Sequence, residues 1–297
     1  METEVKKLDK LKRVIKIEVI GDSFKKEKKD VYQKKAKNLK IPGFRPGTAP
    51  MDLLEKHHSE VLKEELIRAT VPIFYQKAIE ENKLLPASLP RIFDIKVTAE
   101  ALSFSAELEV QPDVEVKEKF YKGIKLKDTK ITVKDDEIEK VINNLKEGIK
   151  KVADKDLDDD SLAKWASYSD IDRLKDAVKS QLYVEKLRDK RQKIDLEVRQ
   201  QLLKSFKVDL PISEVDERQK ELVEREIHNL SNRGVSKEDI EKYKQELQDK
   251  IKPRAEEEVK LIYILQAIAK AEGLKTENNL GDVVFGFILS QGQYSKG

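Results

Sequence analysis

There is no cysteine in the chain. Disulfides, cysteine-ligated zinc and thiol nucleophiles are thereby excluded. Aromatic residues are scarce, at 6% of the sequence, which is poor material for the ring-stacking platforms of a sequence-specific RNA reader. Long apolar runs are missing as well. The longest, such as Leu261 to Leu265 and Val283 to Leu289, are too short to span a bilayer. The acidic start Met1-Glu2-Thr3-Glu4 has no apolar run behind it, so no signal peptide and a cytoplasmic location are expected.

Catalytic signatures are also lacking. The three histidines are His57, His58 and His228, and none stands at metal-ligand spacing. Neighbours on a helix face apart, so His57 and His58 read as surface residues. Neither GxSxG, nor a P-loop, nor GxGxxG occurs. The acidic run Asp156 to Asp160 lacks the glycine and terminal glutamate of a calcium-binding loop, and a solvated loop is expected there. No catalytic residue, metal or cofactor is therefore expected.

Charge is what the chain has in abundance. Charged residues make up 39% of its 297 residues, with 60 basic against 57 acidic and a net charge of +3. A chain so charged and so poor in aromatics points to long exposed helices rather than one large core. Disorder is disfavoured by the low net charge and the strong helical periodicity.

Residues 11–20 carry Leu11, Val14, Ile15, Ile17 and Val19 in strand-like alternation. Gly21-Asp22-Ser23 predicts a turn and a helix cap, leading into a lysine-rich helix over 23–39 with Phe24, Val31, Ala36 and Leu39 as its apolar positions. Residues 41–50 hold three prolines and two glycines, which forbid helix and strand alike. A helix over 51–82 follows, with Pro72 expected to kink or interrupt it. Two strands come next, 91–97 and 102–110. These segments predict an α+β domain over 1–112. Residues 113–167 read as a linker and a connecting helix, with a short strand-like stretch at 124–127 and a loop at 154–160. From Tyr168 the pattern is helical: 171–206 capped by Ser169-Asp170, 213–233 ending at Gly234, and a third helix opened by Ser236 and Asp239 in the manner of a capping box. The fold class expected is an α+β N-terminal domain followed by an elongated all-α C-terminal domain with helical arms, over 168–297.

Two features invite a partner. Phe44 and Arg45 sit among prolines and glycines at a loop tip. Arg45 can clamp a phosphate or carboxylate bidentately, and Phe44 can fill a pocket or instead fold back under the loop. Lys25 to Lys37 can neutralise phosphates or be an ordinary solvated face.

At this loop the chain resembles bacterial trigger factor, whose ribosome-docking tip carries Gly-Phe-Arg-x-Gly-Lys-x-Pro. Here it stands as Gly43-Phe44-Arg45-Pro46-Gly47-Thr48-Ala49-Pro50. The order of elements agrees, as do Glu109-Val110-Gln111-Pro112-Asp113-Val114 and Val208-Asp209-Leu210-Pro211. The resemblance implies an ATP-independent chaperone that docks through Gly43, Phe44, Arg45, Pro46 and Gly47. Its implied partners are protein and rRNA of the large ribosomal subunit near the exit tunnel, and unfolded or nascent polypeptides. No membrane is implied, and a homodimer off the ribosome is allowed. Two departures stand out: Thr48 replaces the usual lysine, and the stretch from Leu145 to Tyr168 has no room for the family's peptidyl-prolyl isomerase domain. A ribosome-independent holdase or assembly chaperone, and a helical scaffold without chaperone role, are the rival readings. Leu222, Ile227, Leu261 and Ile264 are equally good as helix seams or as client contacts.

Overall fold

The computed structural model describes all residues except 45–47, 154–156, 278 and 297, and the side chains of 127, 128, 153 and 294–296 also lie outside the description. The chain forms two compact units, residues 1–114 with 208–263, and residues 115–207 with 264–297.

The first unit is built on a four-stranded antiparallel sheet. Its strands are β1 (Glu2–Lys7), β2 (Lys12–Ile20), β3 (Arg91–Val97) and β4 (Ala101–Glu109), in the order β1-β2-β4-β3. Register places Ile15 opposite Ala106, Ile17 opposite Phe104 and Val19 opposite Leu102. Period-two alternation sends all six to one face, where they are almost fully buried. Helices α1 (Asp22–Ala36) and α2 (Met51–Glu81) complete that core with Phe24, Tyr32, Leu54, Leu62, Leu66 and Phe74.

β1 lies outside the sequence expectation. Only Thr3 along it is half-buried, so no apolar alternation announces it. Its pairing sets Glu2 against Glu18 and Lys7 against Arg13, like charges that weaken a strand pair. At the other edge, β3 shifts register between Phe93 and Lys96, with Asp94 at φ 53°. Such a bulge bends an edge away from further pairing.

Two local expectations are corrected. The start of α1 is capped by Gly21 (φ 76°, ψ −146°), with no side-chain hydrogen bond from its neighbours; that conformation suits glycine. The irregularity in α2 falls at His58 (φ −135°, ψ 33°) and not at Pro72. Around Pro72 the helix is held by burial of Leu66, Val71 and Phe74, and the buried Thr70 hydroxyl donates to the Leu66 carbonyl at 2.6 Å.

The same unit contains α6 (Ile212–Asn232) and most of α7 (Lys237–Ala271). They run antiparallel about the turn at Gly234 (φ 84°). Arg218 meets Glu258 at 2.6 Å, and the Gln219 amide donates to the Gln248 carbonyl at 2.8 Å. Val215, Leu222, Ala255, Val259 and Tyr263 form the seam. Pro211 caps α6 without a side-chain bond. The buried Glu109 at the end of β4 does that work instead, accepting from the Ser213 backbone N–H at 2.8 Å and from its hydroxyl. At the start of α7 the Ser236 oxygen accepts from the Asp239 N–H at 3.2 Å while its hydroxyl donates to the Asp239 carboxylate.

The second unit holds α3 (Asp135–Ala153), α4 (Asp159–Trp165), α5 (Ile171–Ser205), α8 (Leu280–Ser290) and a parallel strand pair, β5 (Lys125–Asp128) with β6 (Gln293–Lys296). Ile138, Ile142, Ile149, Leu162, Leu174 and Val178 make its core. Of the loop expected over 154–160, Asp159 and Asp160 belong to a helix instead. Asp158 accepts from the Ser161 N–H and starts α4 at Asp159, while Asp156 lies outside the described residues. Asp170 caps α5 in the same way through the Arg173 N–H. The helical half is thus mostly helical, with the short strand β6 added.

A polar cluster around the buried Tyr121 fastens the turn at Glu118–Phe120 to the end of α7. The nearly inaccessible Tyr121 hydroxyl donates to Glu272. Lys122 lies 2.8 Å from Glu272 and 2.9 Å from Glu118. Burial, then the Glu272 hydrogen bond, pushes the Tyr121 hydroxyl from 10.0 up to about 12. A group raised on folding stabilises below its unfolded value and ceases to do so as pH climbs through its folded one. Thermal stability of this unit is therefore expected to fall between pH 10 and about 12. Tyr121→Phe should flatten that decline in a calorimetric pH series. An unchanged slope would remove Tyr121 from the account.

Candidate functional site

The loop between α1 and α2 is anchored at both ends. Ile41 is buried in the core of the first unit, and Ala49, Met51 and Leu53 pack against that core on the far side. Between the anchors the chain turns sharply. The Phe44 N–H donates to the Ile41 carbonyl at 3.1 Å, and Gly43 sits at φ 84°. Proline at the second position and glycine with positive φ at the third are the signature of a type II turn. An alanine at Gly43 would have room for its Cβ but would be strained by that φ. Phe44 follows the turn and remains 40% exposed, so it does not fold back under the loop. Arg45, Pro46 and Gly47 lie outside the described residues.

His58 adds a contact to the near end of the loop. Its Nε2 stands 3.1 Å from the Lys40 carbonyl. A carbonyl only accepts, so Nε2 carries the proton. The irregular backbone at His58 thus coincides with a grip on the residue just before Ile41. The helices flanking the loop are tied by Lys28–Glu55 at 2.9 Å and Lys35–Glu65 at 2.6 Å. The Lys35 hydrogen bond holds the Glu65 carboxyl below its usual range.

In the helical half, the open question about apolar residues is largely resolved. Leu222, Leu261 and Ile264 are buried, and Ile227 is half-buried. Exposed apolar residues there include Tyr183, Val184 and Leu196 on α5, Ile212 on α6, and Tyr243 and Ile262 on α7. Helical spacing could not single them out, because they interrupt a polar surface without making a stripe. A groove of about 480 Å³ runs between α6 and α7, lined by Gln219, Val223, Ile227, Gln245 and Gln248 among others. Among the described residues no cluster of three His, Asp or Glu is placed to hold a metal, and no helix is long and apolar enough to cross a membrane.

Comparison with known proteins bears on this loop. Residues 1–145 match the family model described as bacterial trigger factor protein. Residues 170–280 match that of the bacterial trigger factor C-terminus. The chain belongs to the trigger factor family. Among its relatives are the trigger factors of Acetivibrio thermocellus, 35% identical over 149 residues that make up 50% of this chain and 34% of that protein, and of Natranaerobius thermophilus, 34% identical over 149 residues, 50% and 33%. The trigger factor of Caldicellulosiruptor saccharolyticus is 35% identical over 149 residues, again 50% and 34%. The chain spans about a third of the length of these curated relatives. A solved structure concerned with promiscuous substrate recognition in folding and assembly activities of the trigger factor chaperone superposes with a TM-score of 0.55. It is 13% identical, and the match covers 94% of this chain and 87% of that one. The fold of an N-terminal α+β region followed by a mostly helical region is therefore the trigger factor fold. The two family matches leave residues 146–169 uncovered, a stretch that contains the end of α3 and all of α4.

Proposed function

We propose that this trigger factor family member is an ATP-independent chaperone that docks at the ribosomal exit tunnel and shields emerging polypeptides. In this reading residues 1–112 are the docking tip, 113–167 a linker and connecting helix, and 168–297 the substrate-binding part. Gly43, Phe44, Arg45, Pro46 and Gly47 make the contact with protein and rRNA of the large subunit. The observation that carries the reading is Phe44, an exposed aromatic at the end of a tight turn that starts from the buried Ile41. An exposed ring on a rigid support loses little entropy on binding, which is what an anchor residue needs.

Client binding rests on the scattered apolar residues of the helical half. The adjacent Tyr183 and Val184, and the separate Leu196 and Tyr243, are exposed among polar and charged residues. Apolar burial yields about 25 cal/mol per Å², so a few such contacts hold a client weakly and release it without ATP. The proposal includes a cytoplasmic site of action, no enzymatic activity and, off the ribosome, self-association into a homodimer.

The expected result is suppression of aggregation of a chemically denatured protein at roughly stoichiometric chaperone, without nucleotide, and no acceleration of prolyl isomerisation in a proline-peptide assay. Failure to suppress aggregation would leave a helical scaffold, and strong isomerase turnover would overturn the non-enzymatic reading. Thr48, in place of the family's lysine, favours one second reading, a holdase that works free of the ribosome. Aggregation suppression without ribosome co-sedimentation would select it.

A further inference from the structure

A row at four-residue spacing along α2 carries Leu54, His58, Leu62 and Leu66. The three leucines are almost inaccessible. His58 is half-buried, whereas its neighbour His57 is exposed as expected. A polar ring thus interrupts an apolar row, where another leucine would bury more apolar area. His58 is also the residue of α2 whose backbone angles are not helical. Its Nε2 donates to the Lys40 carbonyl at 3.1 Å, and among the described residues no backbone N–H reaches that carbonyl. The next carbonyl, that of Ile41, closes the turn by accepting the Phe44 N–H. Two successive carbonyls are therefore fixed, one from α2 and one from within the turn. The ion pairs Lys28–Glu55 and Lys35–Glu65 join α1 to α2 but hold no residue of 37–44.

We infer that His58 is the positioning residue of this loop: its ring fixes the chain at Lys40, so that the turn presents Phe44 in one direction. The inference rests on the docking reading of the loop. Packing alone would favour leucine at this place in the row, so what histidine adds is the hydrogen bond it makes. That bond acts on backbone, at the residue before the buried Ile41. A constraint at the point where the chain leaves the core narrows the directions open to the turn. Fixing a binding loop before its partner arrives removes part of the ordering cost of association. In this role His58 touches no partner and acts through the Lys40 carbonyl and the turn that follows it.

The test measures ribosome binding and hydrogen exchange at the Phe44 amide in the full chain, for His58→Leu, His58→Gln and Phe44→Ala. Leucine completes the apolar row and deletes the donor. Glutamine carries an N–H donor at similar reach. His58→Leu is expected to weaken ribosome binding roughly two- to tenfold, the span of one ordinary hydrogen bond. Its Phe44 amide should exchange faster by a similar factor, with a melting temperature at or above the parent's. His58→Gln should restore both readouts. Parental binding and parental exchange in His58→Leu overturn the inference. A melting temperature that falls together with binding, and that glutamine does not restore, also overturns it, because His58 then serves the fold and not the loop. If Phe44→Ala binds like the parent, the docking reading falls on its own. Faster exchange in His58→Leu then still keeps His58 as the residue that holds the loop, and unchanged exchange removes it.

Discussion

Phe44→Ala is expected to reduce co-sedimentation with ribosomes by roughly tenfold or more. The ring is 40% exposed in the free chain. Truncating an aromatic anchor that becomes desolvated in a partner pocket costs about 2 kcal/mol or more, and every 1.4 kcal/mol is a factor of ten. The turn fixes the backbone from which the ring projects. Ile41 is buried, its carbonyl receives the Phe44 N–H at 3.1 Å, and His58 holds the Lys40 carbonyl at 3.1 Å. Because Phe44 contributes little to the core, the melting temperature should hardly move. This separates loss of docking from loss of fold. Binding of the variant at parental affinity, with its fold intact, would show that the ring is not the anchor.

The second large effect concerns stability. Phe24→Ala is expected to destabilise the first unit by about 3–5 kcal/mol, the usual cost of deleting a fully buried phenylalanine. Phe24 is completely inaccessible and belongs to the same cluster as Ile15, Ile17, Phe74 and Phe104. It is the largest apolar side chain that fastens the first turns of α1, and Tyr32 and Ala36 complete the buried face. Glutamine at any single exposed lysine of the same helix should change stability by less than about 0.5 kcal/mol. Denaturant unfolding of both variants checks the contrast. Comparable losses from the two faces would contradict the burial pattern.

The core of the first unit is legible in the sequence because Ile15, Ile17 and Val19, and Ala106, Phe104 and Leu102, alternate with other residues and meet in register. The loop was readable because its prolines and glycines leave the backbone few choices. The elements that are not legible in the sequence carry no periodic apolar signal. β1 is an exposed charged edge, and β6 is four residues long and depends on β5, from which it is separated by most of the helical half. The break in α2 was placed at Pro72 because proline lacks an N–H. Burial on both sides of Pro72 outweighs that loss, and the irregularity falls at His58, where a side chain binds Lys40. In the helices, periodicity marks which residues are apolar but not which partner covers them. Leu222, Leu261 and Ile264 are buried, while Tyr183, Val184, Ile212 and Tyr243 are among the exposed ones. The remote cap of α6 by Glu109, over a hundred positions away in sequence, follows from tertiary packing alone.

The most direct test of the docking claim is a photo-crosslinking amino acid placed at position 44 and irradiated on translating ribosomes. The prediction is a crosslink to large-subunit components at the exit tunnel, weakened by salt and absent from free small subunits. Equal labelling of ribosomes and unrelated proteins, or no ribosomal adduct at all, would contradict it.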